Sequence, residues 1–171
     1  MRALPGLGPD HPRHRGRVAA LFARAVVTGI VGSVASAVAA LVCSRAENGR
    51  ATPPINAVSH IYDGTEPPTA EKGDGYRNML LGSVIHTGGA LFWAVFYEAA
   101  LRRRDGRLAL SATAAATAAL AYHVDYNVVH PRFRPGFEAH LSRRSLFAVY
   151  AALAAGFTAA AVLRKQPLRK P

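Results

Sequence analysis

The chain has 171 residues, 50% of them hydrophobic, with 21 Lys and Arg against 10 Asp and Glu and a formal charge of +11. Its apolar residues gather into blocks rather than recurring at helical or strand spacing, which argues against an ordinary water-soluble domain and for membrane-spanning segments. A charge of this size would suit a nucleic-acid binder, but here the charges follow the block boundaries, so they are read as membrane topology and nucleic acid is excluded as a partner.

Residues 1–17 are rich in Pro, Gly, Arg and His without an apolar period, and are expected to form a disordered basic cytoplasmic arm. The uncharged stretches that follow are residues 25–44, 79–97, 108–124 and 145–163. A helix crosses a hydrocarbon core of about 30 Å in roughly 20 residues, so three of these fit comfortably and the third, at 108–124, is marginal. Alternating ten-residue segments of a membrane barrel are absent, and backbone groups cannot go unpaired in lipid, so the segments are taken as helices. The expected fold is all-α: an integral membrane four-helix bundle over residues 18–164, with helices at about 18–44, 78–101, 108–130 and 144–163.

The first apolar run is too long for the core of a cleaved signal peptide, so it is expected to be retained. Gly29, Ser33 and Ala37 form one small-residue ridge on it, and Gly32, Ser36 and Ala40 another, which lets neighbouring backbones approach closely. Cys43, the single cysteine, is read as filling space at the outer end. In the loop that follows, Thr52-Pro53-Pro54 opens and Asp63-Gly64 closes a short helix. Ile55, Val58 and Tyr62 share one of its faces and Asn56, Ser59, His60 and Asp63 the other, which predicts an amphipathic helix lying on the outer membrane surface. A functional reading of the same helix has its polar face lidding a site between the outer ends of the bundle.

In the second helix His86 falls well below the outer interface, on a face shared with Gly82, Gly89, Ala90 and Trp93, and is expected to point into the bundle. Trp93 and Tyr97, like Tyr122 and Tyr126 on the third helix, resemble interfacial anchors. Glu98 is expected to pair with Arg102, and Asp105-Gly106 turns the chain tightly into the third helix. That helix is expected to run to Pro131, with His123, Asn127 and His130 on one face and Asp125 opposite. Arg132, Arg134, Arg143 and Arg144 suit phosphate-bearing head groups. Residues 165–171 are read as a basic cytoplasmic tail.

With both termini inside, the cytoplasmic parts carry thirteen basic and three acidic residues, and the outer loops eight and seven. The positive-inside bias therefore places both termini in the cytoplasm of a cell whose inner membrane holds the chain, with the bilayer and its anionic head groups as partners. This topology collects His60, His86, His123, Asp125 and His130 in the outer half. Imidazole and carboxylate ligate metal ions, and imidazole pairs ligate haem, so these five are the candidate metal or haem ligands. The same residues are also explained by a structural hydrogen-bond network joining His86, His123, Asn56, Ser59 and Asp125. No H-E-x-x-H, C-x-x-C, phosphate loop or dinucleotide fingerprint is present.

The phrases Asn56-Ala57-Val58-Ser59-His60, Asp125-Tyr126-Asn127-Val128-Val129 and Pro135-Gly136-Phe137-Glu138 resemble those of small uncharacterised four-helix bacterial inner-membrane proteins. The resemblance implies a multi-pass membrane protein and carries no activity, so no functional residue transfers. The functional expectation is a structural or accessory membrane component, working as a homo-oligomer or with a partner membrane protein. The alternatives are a metal- or haem-binding protein built on the five residues, and a small oligomeric transporter in which His86 is the titratable group.

Overall fold

The computed structural model describes residues 11–64, 75–101 and 106–165. The expectations for residues 1–10, for the turn at 102–105 and the pairing of Arg102 with Glu98, and for residues 166–171 lie outside them. Every described element is helical: α1 (His11–Asn48), α2 (Pro53–Ala57), α3 (His60–Asp63), α4 (Tyr76–Ala100), α5 (Arg107–His123) and α6 (Arg143–Lys165). A π-helical turn (Val124–Val128) extends α5, and two short 3-10 turns (Pro131–Phe133 and Phe137–Ala139) lead into α6.

Three of the helices are long and apolar enough to cross a membrane: Arg15–Asn48, Tyr76–Ala100 and Arg143–Arg164. Their outward faces are greasy, and on α1 the inward face is small or polar. On α1 the exposed side chains include Phe22, Val26, Val27, Ile30, Val34, Val38 and Val42, whereas Ala25, Thr28, Ser33, Ser36, Ala40 and Ser44 are buried. Large apolar side chains turned outward suit a lipid surround, where small residues bring helices together. The helix also begins at His11, so residues 11–17 continue α1 instead of forming an unstructured arm.

Both predicted ridges of α1 are used. A Cβ placed on Gly29 would meet Leu91 of α4 at 2.7–2.8 Å, and one on Gly32 would collide with Phe157 of α6. Gly156 closes the second contact, its Cβ position lying 2.7 Å from Gly32 Cα. The ridges thus seat α1 against α4 on one side and α6 on the other, and α5 packs chiefly on α6.

The loop helix differs from its expectation. It bends at Val58-Ser59 into α2 and α3, and residues 53–60 are buried on both faces, polar side chains included, while Tyr62 is 69% exposed. The cause is a contact the apolar period does not register. A Cβ on Gly82 would overlap Ile55 O, so α4 lets the backbone of α2 rest directly on it. The 3-10 segment covers the opposite side, with Gly136 in the left-handed region (φ 81°) and its Cβ position 3.2 Å from the His60 ring. The segment is a wedge inserted at one end of the bundle, not a raft on its surface.

Candidate functional site

Of the five candidate ligands, His60 is 1% exposed and holds its ring by a 2.7 Å contact between Nδ1 and Ala57 O. That carbonyl only accepts, so Nδ1 carries the hydrogen and Nε2 is left buried without a hydrogen-bond partner. His86 faces α1, with Nε2 3.1 Å from Ser36 Oγ and 3.3 Å from Ser33 O. Ser36 donates to Gly32 O at 2.8 Å, and Ser33 O accepts only, so the hydrogen shared with them belongs to His86 Nε2. Beside this pair Ser33 and Thr87 hydroxyls meet at 2.9 Å, continuing a polar seam between α1 and α4.

Asp125 rides on the π turn, where Val129 N–H donates to Val124 O at 3.0 Å. Its Oδ2 accepts a 2.6 Å hydrogen bond from the Tyr150 hydroxyl of α6. His123 and His130 are exposed; the first supplies its carbonyl to Asn127 Nδ2, the second accepts from Arg132 N–H at 3.3 Å. The helical run therefore ends at Val128, short of Pro131, and the two exposed imidazoles turn away from the buried pair. Among the described residues, no group of three His, Cys, Asp or Glu side chains is placed to hold a metal ion. Of the residues expected in one network, His86 meets Ser36 and Asp125 meets Tyr150, while His123 is exposed.

What joins these pairs is space. A partly open cavity of about 150 Å³ lies between α1, α4, α6, the π turn and the loop wedge. Ser36 and His86 stand on its wall, as do Asp125 and Tyr150, and the remainder is mainly apolar and aromatic: Val58, Ile85, Trp93, Phe133, Phe137 and Leu153. Phe137 lies 5.7 Å from the His86 ring, centroid to centroid. Gly89 also faces the cavity and has nothing within 4 Å of its Cβ position. Among the described residues, no Lys or Arg lines the space.

One participant escaped the sequence reading. Tyr150 sits mid-helix in an apolar run, and its only signal was that a hydroxyl inside a spanning helix needs a partner. Trp93, read both as an interfacial anchor and as a member of the inward His86 face, is 8% exposed and lines the cavity, as the second of these readings has it. Tyr150 also stacks edge-on against Tyr122 at 5.3 Å, and Tyr122 packs with Tyr126 at 5.1 Å, so the hydroxyl that holds Asp125 is braced by rings.

A second polar cluster lies toward the opposite ends of the helices. Glu98 is 2% exposed and accepts from Thr28 Oγ1 at 2.6 Å and from Arg164 Nη2 at 2.8 and 3.0 Å, with Arg24 Nε 3.7 Å away. It ties α1, α4 and α6 together through one carboxylate. Nearer the cavity's end, Glu47 accepts from Ser142 N–H at 2.9 Å and from the Ser142 and Ser145 hydroxyls at 2.6 Å, capping α6 with the end of α1. Asp63 accepts from Arg77 Nη2 at 2.8 Å, and that guanidinium holds its carboxyl below the usual value. No family model, no curated protein and no solved structure matches the chain.

Proposed function

We propose that the chain is a non-enzymatic accessory protein of the bacterial inner membrane that binds a small molecule at the outer end of a four-helix bundle. In this reading α5 is the fourth crossing. Its seventeen α-helical residues run without a break into the five of the π turn, giving roughly 30 Å of helix, about the thickness of a hydrocarbon core. Both termini are cytoplasmic, as the excess of Lys and Arg at that side supports.

The observation that carries the proposal is the 150 Å³ cavity with polar groups on facing walls of an otherwise apolar lining. A single six-membered ring fits a cavity of about this volume, and few, well-placed polar groups in an apolar pocket are the usual composition of a ligand site. Binding is favoured over bond-making because the wall's serine, Ser36, already donates to Gly32 O and has no general base free to activate it.

Trp93 is the chain's single tryptophan and lines the cavity, so its fluorescence reports occupancy. Purified protein in mild detergent is titrated with a panel of small ring compounds and amines. The expected result is a saturable change with at least one class, abolished in Gly89→Leu, whose added side chain enters open space and leaves the helices in place. A panel producing no saturable change overturns the proposal.

A further inference from the structure

We infer that the cavity selects a small organic cation, an alkylammonium or aralkylammonium; this rests on the binding reading above and names its ligand class. Among the described residues the lining carries one carboxylate, Asp125, and neither Lys nor Arg. Asp125 is half-buried, and its charge is met by one neutral donor, the Tyr150 hydroxyl on Oδ2; no described residue donates to Oδ1. A carboxylate in an apolar surround with a single hydrogen bond is under-compensated, and a positive ligand is the partner that removes the deficit.

The rest of the wall fits the same ligand. Trp93, Phe133, Phe137 and Tyr150 place four aromatic rings around the space that Asp125 faces. Aromatic rings attract cations through their quadrupoles, and several of them beside a carboxylate form the surroundings that ammonium head groups favour. An anionic ligand meets Asp125 and finds no Lys or Arg. A neutral apolar ligand fits the volume but leaves the carboxylate as poorly matched as before. The size admits an ammonium group bearing methyls or a single ring, and the cavity's partial openness gives it a way in.

The test pairs each cation with an uncharged compound of nearly the same shape: choline with 3,3-dimethylbutan-1-ol, and benzylammonium with benzyl alcohol, titrated against Trp93 fluorescence of the full chain in mild detergent. At least one cation is expected to bind about tenfold or more tightly than its neutral counterpart, a difference within reach of one ion pair and ring contacts. In Asp125→Asn that preference should collapse to less than about twofold while the neutral compound keeps its affinity. The wild-type comparison stands even where this variant folds poorly. Neutral compounds binding as tightly as their cations would overturn the cation inference and leave the binding cavity intact. Failure of cations and neutral compounds alike would remove both.

Discussion

Replacing Arg164 with Ala strips the main counter-charge from a carboxylate enclosed by three helices. Glu98 is 2% exposed, and two of its three hydrogen bonds among the described residues come from Arg164 Nη2, at 2.8 and 3.0 Å. A hydrogen bond to a charged group contributes about 1.5–3 kcal/mol, and removing one partner of a buried pair costs about 3–5 kcal/mol. Two features lower that figure here. The Arg164 side chain is 31% exposed, and Arg24 Nε stands 3.7 Å from Glu98 Oε2, near enough to move in. The expected loss is therefore about 2–3 kcal/mol. It is measured by equilibrium unfolding in mixed detergent micelles, followed by Trp93 fluorescence on the same helix as Glu98. Glu98→Met should cost a similar amount, because it leaves Arg164 facing an apolar gap. The double variant Glu98→Met with Arg164→Met should recover most of the loss, since a buried pair replaced by apolar residues is close to neutral. A coupling below about 0.5 kcal/mol across this cycle would refute the view that one carboxylate fastens the three helices.

Gly82→Ala forces a methyl into Ile55 O and should destabilise the protein by about 2–3 kcal/mol while freeing the loop wedge, seen as faster amide exchange across residues 53–63; unchanged exchange contradicts the backbone contact. Glu47→Ala removes the acceptor for Ser142 N–H and two serine hydroxyls, so amides at the start of α6 should exchange faster while those of α1 do not; equal rates would show that water caps the helix as well. The Asp63–Arg77 pair lowers the folded-state value of Asp63, so its stabilisation is present above the ordinary carboxylate value of about 4 and is lost as pH falls through the lowered one. Melting curves of the parent and Asp63→Asn should therefore differ at neutral pH and converge under acid, and a gap that persists at pH 2 contradicts this assignment.

The outline of the bundle was legible because lipid leaves the backbone few choices. Three uncharged runs become the three long apolar helices, and the small-residue ridges of α1 mark its contacts with α4 and α6. The inward placement of His86 was readable for the same reason: its neighbours Gly82, Gly89 and Ala90 are too small to face lipid usefully. The loop wedge was not legible, because an amphipathic period identifies two faces but cannot say that both will be covered. That outcome depended on Gly82, nineteen positions or more away in sequence, offering its backbone to Ile55. The pairing of Asp125 with Tyr150 and the binding of Glu98 by Arg164 are long-range choices of the same kind. Spacing within one helix points only to Arg102, which lies outside the described residues, and could not register the arginine that another helix brings to Glu98. Imidazoles counted along the chain suggested one metal cluster; the π turn and the stop at Val128 leave His123 and His130 exposed, so that of the three candidates on that segment only Asp125 lines the cavity, across from His86.

That π turn has a mechanical meaning. Its ladder carries one residue beyond what an α-helical turn requires, which sets the side chains before and after it out of step with a continuous α-helix. The carboxylate beside the cavity thus sits on a turn wound more loosely than the helices around it, whose joints at Gly29, Gly32 and Gly156 are closed by direct contact.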